Sequence, residues 1–329
     1  MPALVFLLEC AAVALLTGTA FSVLAVAASF LLAPHSSDIA PARRADIAFA
    51  LAILPAIACL VVIAGAAAPS VMAMLGVATD HCAAHDHHPH LCILHPSALR
   101  PWVAAVGASS LVVFLYRLVS LTRGVLFTAS RLRHLEALGT RSEADFPVIA
   151  VPGRPHLCHA TGVLRRRILV SREFSTVLSP SEMRAALAHE VAHLRRHDPA
   201  VLVLLAFASL FAVPAAMRFL SSRHGEAVEE ACDAEAALVV ADATQVALAL
   251  VKVAQLRPLR IGSLAAVPAF GEIALEQRVR RLLSDSAPAV SRSLALTIGA
   301  AGVFASVCTI WLHGPDVHHA VETAFNHIF

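Results

Sequence analysis

The sequence predicts a mainly α membrane protein in which about four transmembrane helices carry one cytoplasmic α+β domain, inserted between the third and the fourth. Three observations predict it. Of 329 residues, 58% are hydrophobic and only 15% are charged, and the mean hydropathy of +0.74 exceeds what a water-soluble domain of this length shows. Apolar runs long enough to cross roughly 30 Å of hydrocarbon occur at residues 10–33, 47–75, 102–116 with its flanks, and 294–312. The stretch 122–293 is the one large unit that does not read as a span. The chain therefore divides into a transmembrane region (1–121) with an outer loop at 76–101, the inserted domain (122–293), a last span (294–312) and a tail (313–329).

The first run is expected to stay in the mature protein: it lacks a basic leader, carries Glu9, and is too long for the apolar core of a signal peptide. Arg43 and Arg44 follow it, and arginines from Arg123 onward fill the inserted domain. Positive charge marks the cytoplasmic side, which places the N-terminus, the loop 76–101 and the tail 313–329 outside. Arginine and alanine abound while Lys252 is the only lysine, a composition suggesting a GC-rich bacterial genome and so a multi-pass protein of the bacterial plasma membrane. Cys10, Cys59 and Cys308 fall in spans, where they read as small buried hydrophobes. Cys158 and Cys232 face a reducing cytoplasm, which disfavours a disulfide. Cys82 and Cys92, in the outer loop, either pair, stay free or bind metal.

Within the inserted domain, LFTASRLRHLEAL continues the third span as an amphipathic helix. β-Branched residues near Val148–Val151 and Ile168–Val170, separated by Pro and Gly, predict a short sheet built as a small hairpin. Ser179, Pro180 and Glu182 then form a capping box with proline at the first helical position, and a helix follows. Residues 200–213 are apolar but short for a span; Pro214 opens a helix running through GEAVEEACDAEAALVV, and further helices are expected near residues 243–256 and 271–283.

The capped helix contains His189-Glu190-Val191-Ala192-His193. In this HExxH pattern, one helical turn separates two imidazoles on one face, so both nitrogens can reach one Zn²⁺ at about 2.0–2.1 Å. Glu190 stands beside them as a general base for a metal-activated water. A catalytic zinc takes a third protein ligand. His197 lies two turns, about 12 Å of rise, from His189 and reads as a surface residue. Glu229 and Asp233 share a helical face, so Glu229 is expected to ligate and Asp233 to bond the far nitrogen of a ligand histidine. Glu226 and Glu230 read as a solvated face. One zinc held by His189, His193 and Glu229 also constrains topology. Residues 200–213 lie between these ligands and so must dip and return instead of crossing, which leaves Ser181 and Ser222 on one side.

The segments AHEVAHLRRHDP and EEACDAEA together resemble the BlaR/MecR-type antirepressor metallopeptidases, membrane relatives of β-lactam sensor-transducers. Arg195, Arg196 and Asp198 match the family's basic pair and Asp after HExxH, and Glu229–Asp233 matches its E-x-x-C-D pattern. TGVLRRRILVS, LSPSEMRAALAHE and LEQRVRRLL extend the likeness over residues 147–283. The resemblance implies a zincin-like peptidase domain, a zinc metalloendopeptidase, and as partner a BlaI-type winged-helix repressor in the cytoplasm, with lipid around the spans and no direct contact to nucleic acid. One departure stands out: Lys252 is preceded three positions back by Ala249, so the S-x-x-K motif of a penicillin-binding sensor is missing.

The outer loop HCAAHDHHPHLCILH gathers His81, His85, His87, His88, His90 and His95, and the tail adds His313, His318, His319 and His327. Such tracts bind Zn²⁺ or Cu²⁺ or remain plain polar loops, so an outer metal ion is a candidate ligand. Two other readings compete with a regulatory protease: an HtpX-like quality-control protease, and a metal-sensing membrane protein without activity.

Overall fold

The computed structural model describes residues 2–33, 39–77, 93, 100–141, 146–152, 157–256, 275–284 and 293–328. The chain is mostly helical, with helices α1 (Pro2–Leu32), α2 (Pro41–Met74), α3 (Pro101–Ala137), α4 (Phe174–Val177), α5 (Pro180–Arg196), α6 (Asp198–Ala208), α7 (Pro214–Val240), α8 (Ala243–Leu256), α9 (Leu275–Leu282) and α10 (Ala295–Ile328). Strands β1 (Thr140–Arg141), β2 (Val148–Val151), β3 (Cys158–Thr161) and β4 (Arg167–Ser171) lie between α3 and α4. Four segments are long and apolar enough to cross a membrane: Ala3–Leu32, Pro41–Met74, Pro101–Ala137 and Ala295–His313. Their outward faces carry large apolar residues such as Val112, Tyr116, Phe304 and Trp311, which suits contact with lipid.

The cysteines of the described residues are free: Cys10, Cys59 and Cys232 are buried, Cys158 and Cys308 half-buried. Cys82, Cys92 and the histidines of the outer loop lie outside the described residues. The His-rich tail continues α10 as helix through Ile328. Past a kink at His313 (φ −127°, ψ 21°), Val317 presses on Gly65, and Val321 packs among Ala12, Ala66 and Val103. His318, 1% exposed, donates from Nδ1 to the Ala66 carbonyl at 3.1 Å and pairs with Glu322 at 3.0 Å.

The expected hairpin is corrected. The sheet order is β1-β2-β4-β3, and β2 runs parallel to β4, with Val148 opposite Ile168. The antiparallel partner of β4 is β3, whose sequence Cys-His-Ala-Thr has a single β-branched residue, Thr161, against three in β2 and two in β4. Gly162, at φ +93°, starts the turn joining them; a Cβ there would lie 2.0 Å from the Arg165 carbonyl oxygen. One face of the sheet packs through Ile168 and Val170 on Leu194 of α5, and the other through Ile149, Val151 and Leu169 on Leu132 and Leu135 of α3.

Residues 200–213 form α6 and a 3-10 turn at Ser209–Phe211, and α7 starts at Pro214. This helical hairpin is wedged among the spans: Val201, Leu205, Ala208, Met217 and Leu220 bury against Ala25 of α1, Phe49, Ala52 and Ile53 of α2, and Ala295 of α10. Its turn is satisfied by side chains of the spans. Arg117 of α3 donates to the carbonyls of Ser209, Leu210 and Ala212, and Ser22 of α1 accepts from Val213 N at 3.0 Å. Close approach needs Gly18, since a Cβ there would stand 2.1 Å from the Phe211 carbonyl oxygen. Gly18→Ala is expected to force the turn off α1 and cost about 1–3 kcal/mol. A lowered melting temperature of the detergent-solubilised protein checks this; an unchanged one refutes the close contact.

Candidate metal centre

The centre is built on α5. Ser179 caps the helix: its Oγ accepts from Glu182 N (3.3 Å) while Glu182 accepts from Ser179 N (2.8 Å). Lys252 of α8 anchors the buried Glu182 carboxylate at 2.7 Å. The helix thus enters the domain at a fixed angle, with Leu194 and Ala192 buried and His189 and His193 on the face toward α7.

His189 Nε2 and His193 Nε2 are 3.1 Å apart, and Glu229 brings Oε2 to 3.6 Å from the first and Oε1 to 3.6 Å from the second. A tetrahedral zinc with ligand bonds of about 2.0–2.1 Å separates its ligand atoms by about 3.4 Å, so these three side chains fit one ion. The opposite ring nitrogens are held by carboxylates, His189 Nδ1 by Asp233 at 2.9 Å and His193 Nδ1 by Asp198 at 2.8 Å. With the proton kept on Nδ1, both Nε2 lone pairs are available to a cation. Zinc would be held by His189, His193 and Glu229, with Asp233 and Asp198 behind the imidazoles.

Charge supports the same fit. Glu190, Asp198, Glu229 and Asp233 bring four carboxylates, while Arg196 and Arg278 bring two guanidiniums, leaving a formal excess of two negative charges for a divalent ion. Burial alone would lower the pKa of His193, but the carboxylates of Asp198 and Glu229 outweigh it and hold the imidazole well above its ordinary value, the same field that would attract a metal cation in place of the proton. Burial likewise opposes ionisation of Asp233, yet His189 and Arg278 bring its carboxyl down to about 2. Cys232 also lies beside His193 and Asp198. Burial pushes its thiol up to about 12, and the protonated thiol lies 3.9 Å from Asp198 Oδ2.

Glu190 lies in the same helix but turns to the sheet. Its carboxylate accepts the Ala160 amide of β3 at 2.6 Å, and β3 is the outermost strand on that side. His197 is exposed at the left-handed end of α5 (φ 62°), which agrees with its surface reading. That residue reverses the chain, and the reversal returns Asp198 to His193.

Three features were not assigned from sequence: Asp198 as the partner of His193, Arg278 against Glu229 and Asp233, and the Ala160 amide on Glu190. Asp198 and Arg278 both stand in stretches that carry the family resemblance, and that was the only signal. The solvated reading of Glu230 is corrected: it is 8% exposed and paired with Arg44 and Arg281. Helix α7 packs on α5 along one side and on α2 along another, and Arg44 of α2 and Arg281 of α9 cover the Glu230 carboxylate. Glu226 is more open, its side chain 39% exposed.

A family model described as BlaR1 peptidase M56 matches residues 102–282. The chain belongs to the M56 peptidase family. The M56 match runs from α3 to α9 and so contains His189, Glu190, His193, Asp198, Glu229, Asp233 and Arg278. Arg44 and the rest of α2 fall outside it. No curated protein and no solved structure matches the chain.

Proposed function

We propose that this M56 peptidase is a zinc metalloendopeptidase of the bacterial plasma membrane that cleaves a cytoplasmic BlaI-type winged-helix repressor in response to an external signal. The observation that carries the proteolytic reading is the convergence of His189 Nε2, His193 Nε2 and Glu229 within 3.1–3.6 Å, with Glu190 one residue along the same helix. Bound there, zinc supplies a Lewis acid that acidifies water and polarises a peptide carbonyl. Glu190 accepts the proton that water gives up and returns it to the leaving amine. The outer edge of β3 is the place for an extended substrate, which would add as a further strand. Asp198 and Asp233 keep the imidazoles in one tautomer and orientation.

The orientation follows from charge: Arg43, Arg44 and the arginines of the inserted domain favour the cytoplasm. The α6–α7 hairpin, packed among the spans, supports ligands that all stay on that side. Such a site lies close to the membrane surface and admits substrates able to approach it.

The reading is tested by comparing proteins in cells carrying the wild type and Glu190→Gln. A small DNA-binding repressor is expected to accumulate uncleaved in the variant and to be cut by purified zinc-loaded wild type. Accumulation of damaged membrane proteins instead would replace the repressor with a quality-control role. No difference between the strains would overturn the enzyme.

A further inference from the structure

Glu229 reaches the centre from α7 with a side chain still 18% exposed, and it carries the same charge as Asp233, one turn further on. Nothing on α7 itself prevents the two carboxylates from repelling each other. The countercharge comes from α9. Arg278 donates from Nε and Nη2 to the two oxygens of Asp233, both at 2.6 Å, and its Nη1 forms an ion pair with Glu229 Oε2 at 2.9 Å. Its guanidinium side chain is only 13% exposed, and all three of its nitrogens face these two carboxylates.

We infer that Arg278 is a positioning residue: its planar fork locks Glu229 and Asp233 at the angles that bring the third ligand and the His189 partner to the same ion. This rests on the zinc-site reading above and names the device that sets its third ligand. A lysine in its place keeps the charge but offers a point donor on a flexible stem, which cannot hold two carboxylates in fixed directions.

Helix α9 is itself anchored. Leu282 packs on Ala236, Ala237, Val246 and Ala249 of α7 and α8. Arg281 pairs with Glu230, which also binds Arg44 at the inner end of α2. Ala45 follows Arg44 and packs on Ala192, between the two ligand histidines, and on Cys232; its carbonyl accepts from His224 Nδ1 at 2.9 Å. The placement of Arg278 is thereby joined to a helix that spans the bundle.

The test uses the full-length protein in detergent and compares Arg278→Lys, Arg278→Ala, Arg280→Ala and His189→Ala. Zinc affinity is read by competition with a chelator, and ligand geometry by the visible absorption of the cobalt-substituted protein. Both Arg278 variants are expected to bind zinc about 10–100-fold more weakly, to shift the cobalt bands, and to lower kcat more than they raise KM. Arg280, 78% exposed on Glu276, serves as the control and should match the wild type. Should Arg278→Ala fail to fold, Arg278→Lys decides through its cobalt spectrum. A lysine variant with wild-type zinc affinity and spectrum reduces the residue to a countercharge and overturns the proposal. If His189→Ala also keeps its zinc, the metal site has been misplaced altogether, a failure separate from that of Arg278.

Discussion

Glu190→Gln is expected to retain zinc at the wild-type level and to lose roughly 10²–10⁴-fold in kcat, the usual contribution of a positioned general base. The substitution is nearly isosteric, and the amide oxygen can still accept the Ala160 N–H, so the side chain stays where the carboxylate was. Only the capacity to take up and return a proton is removed. Zinc should be unaffected because the three ligand atoms belong to His189, His193 and Glu229. His189→Ala or His193→Ala should give the opposite result, a protein that binds little metal and is inactive for that reason. Zinc content per protein, measured beside turnover of the same preparation, separates the two classes. Loss of metal in Glu190→Gln would mean that Glu190 is itself a ligand.

Much of this fold was legible because its signals are local. Ser179, Pro180 and Glu182 announce the start of α5 whatever surrounds it, and the charge-free runs announce four spans. The shared face of His189 and His193, and that of Glu229 and Asp233, follows from helical periodicity once each helix is granted. What escaped depends on contacts between distant elements. Only Thr161 in β3 is a good strand former, and the strand forms because β4 and α5 give it partners. The role of Asp198 depends on a left-handed residue at His197, for which a single histidine is a weak sign. Arg278 is 45 residues from Asp233 in sequence, and no periodicity relates them. Glu230 was misjudged for the same reason: a charged residue beside a ligand reads as exposed until α2 and α9 are known to cover it.

Glu229→Ala and Glu230→Ala, adjacent on one helix, should fail in different ways. Glu229→Ala removes one of three ligands and is expected to weaken zinc by more than the roughly 10–100-fold that loss of an orienting partner costs. The fold should survive, because Arg278 keeps its two bonds to Asp233. Glu230 touches neither histidine; it lies between Arg44 of α2 and Arg281 of α9. Removing it leaves Arg44, whose side chain is 20% exposed, without its carboxylate. Breaking a buried pair of this kind costs about 3–5 kcal/mol, and partial exposure of Arg281 should keep the loss toward the lower end. Glu230→Ala should therefore unfold at lower temperature while each folded molecule still binds zinc tightly. Glu226→Ala, on the open side of α7, should change neither property appreciably. Thermal denaturation with and without saturating zinc, together with chelator competition, distinguishes the three. A larger loss of zinc in Glu230→Ala than in Glu229→Ala would shift the register of α7 and move the third ligand.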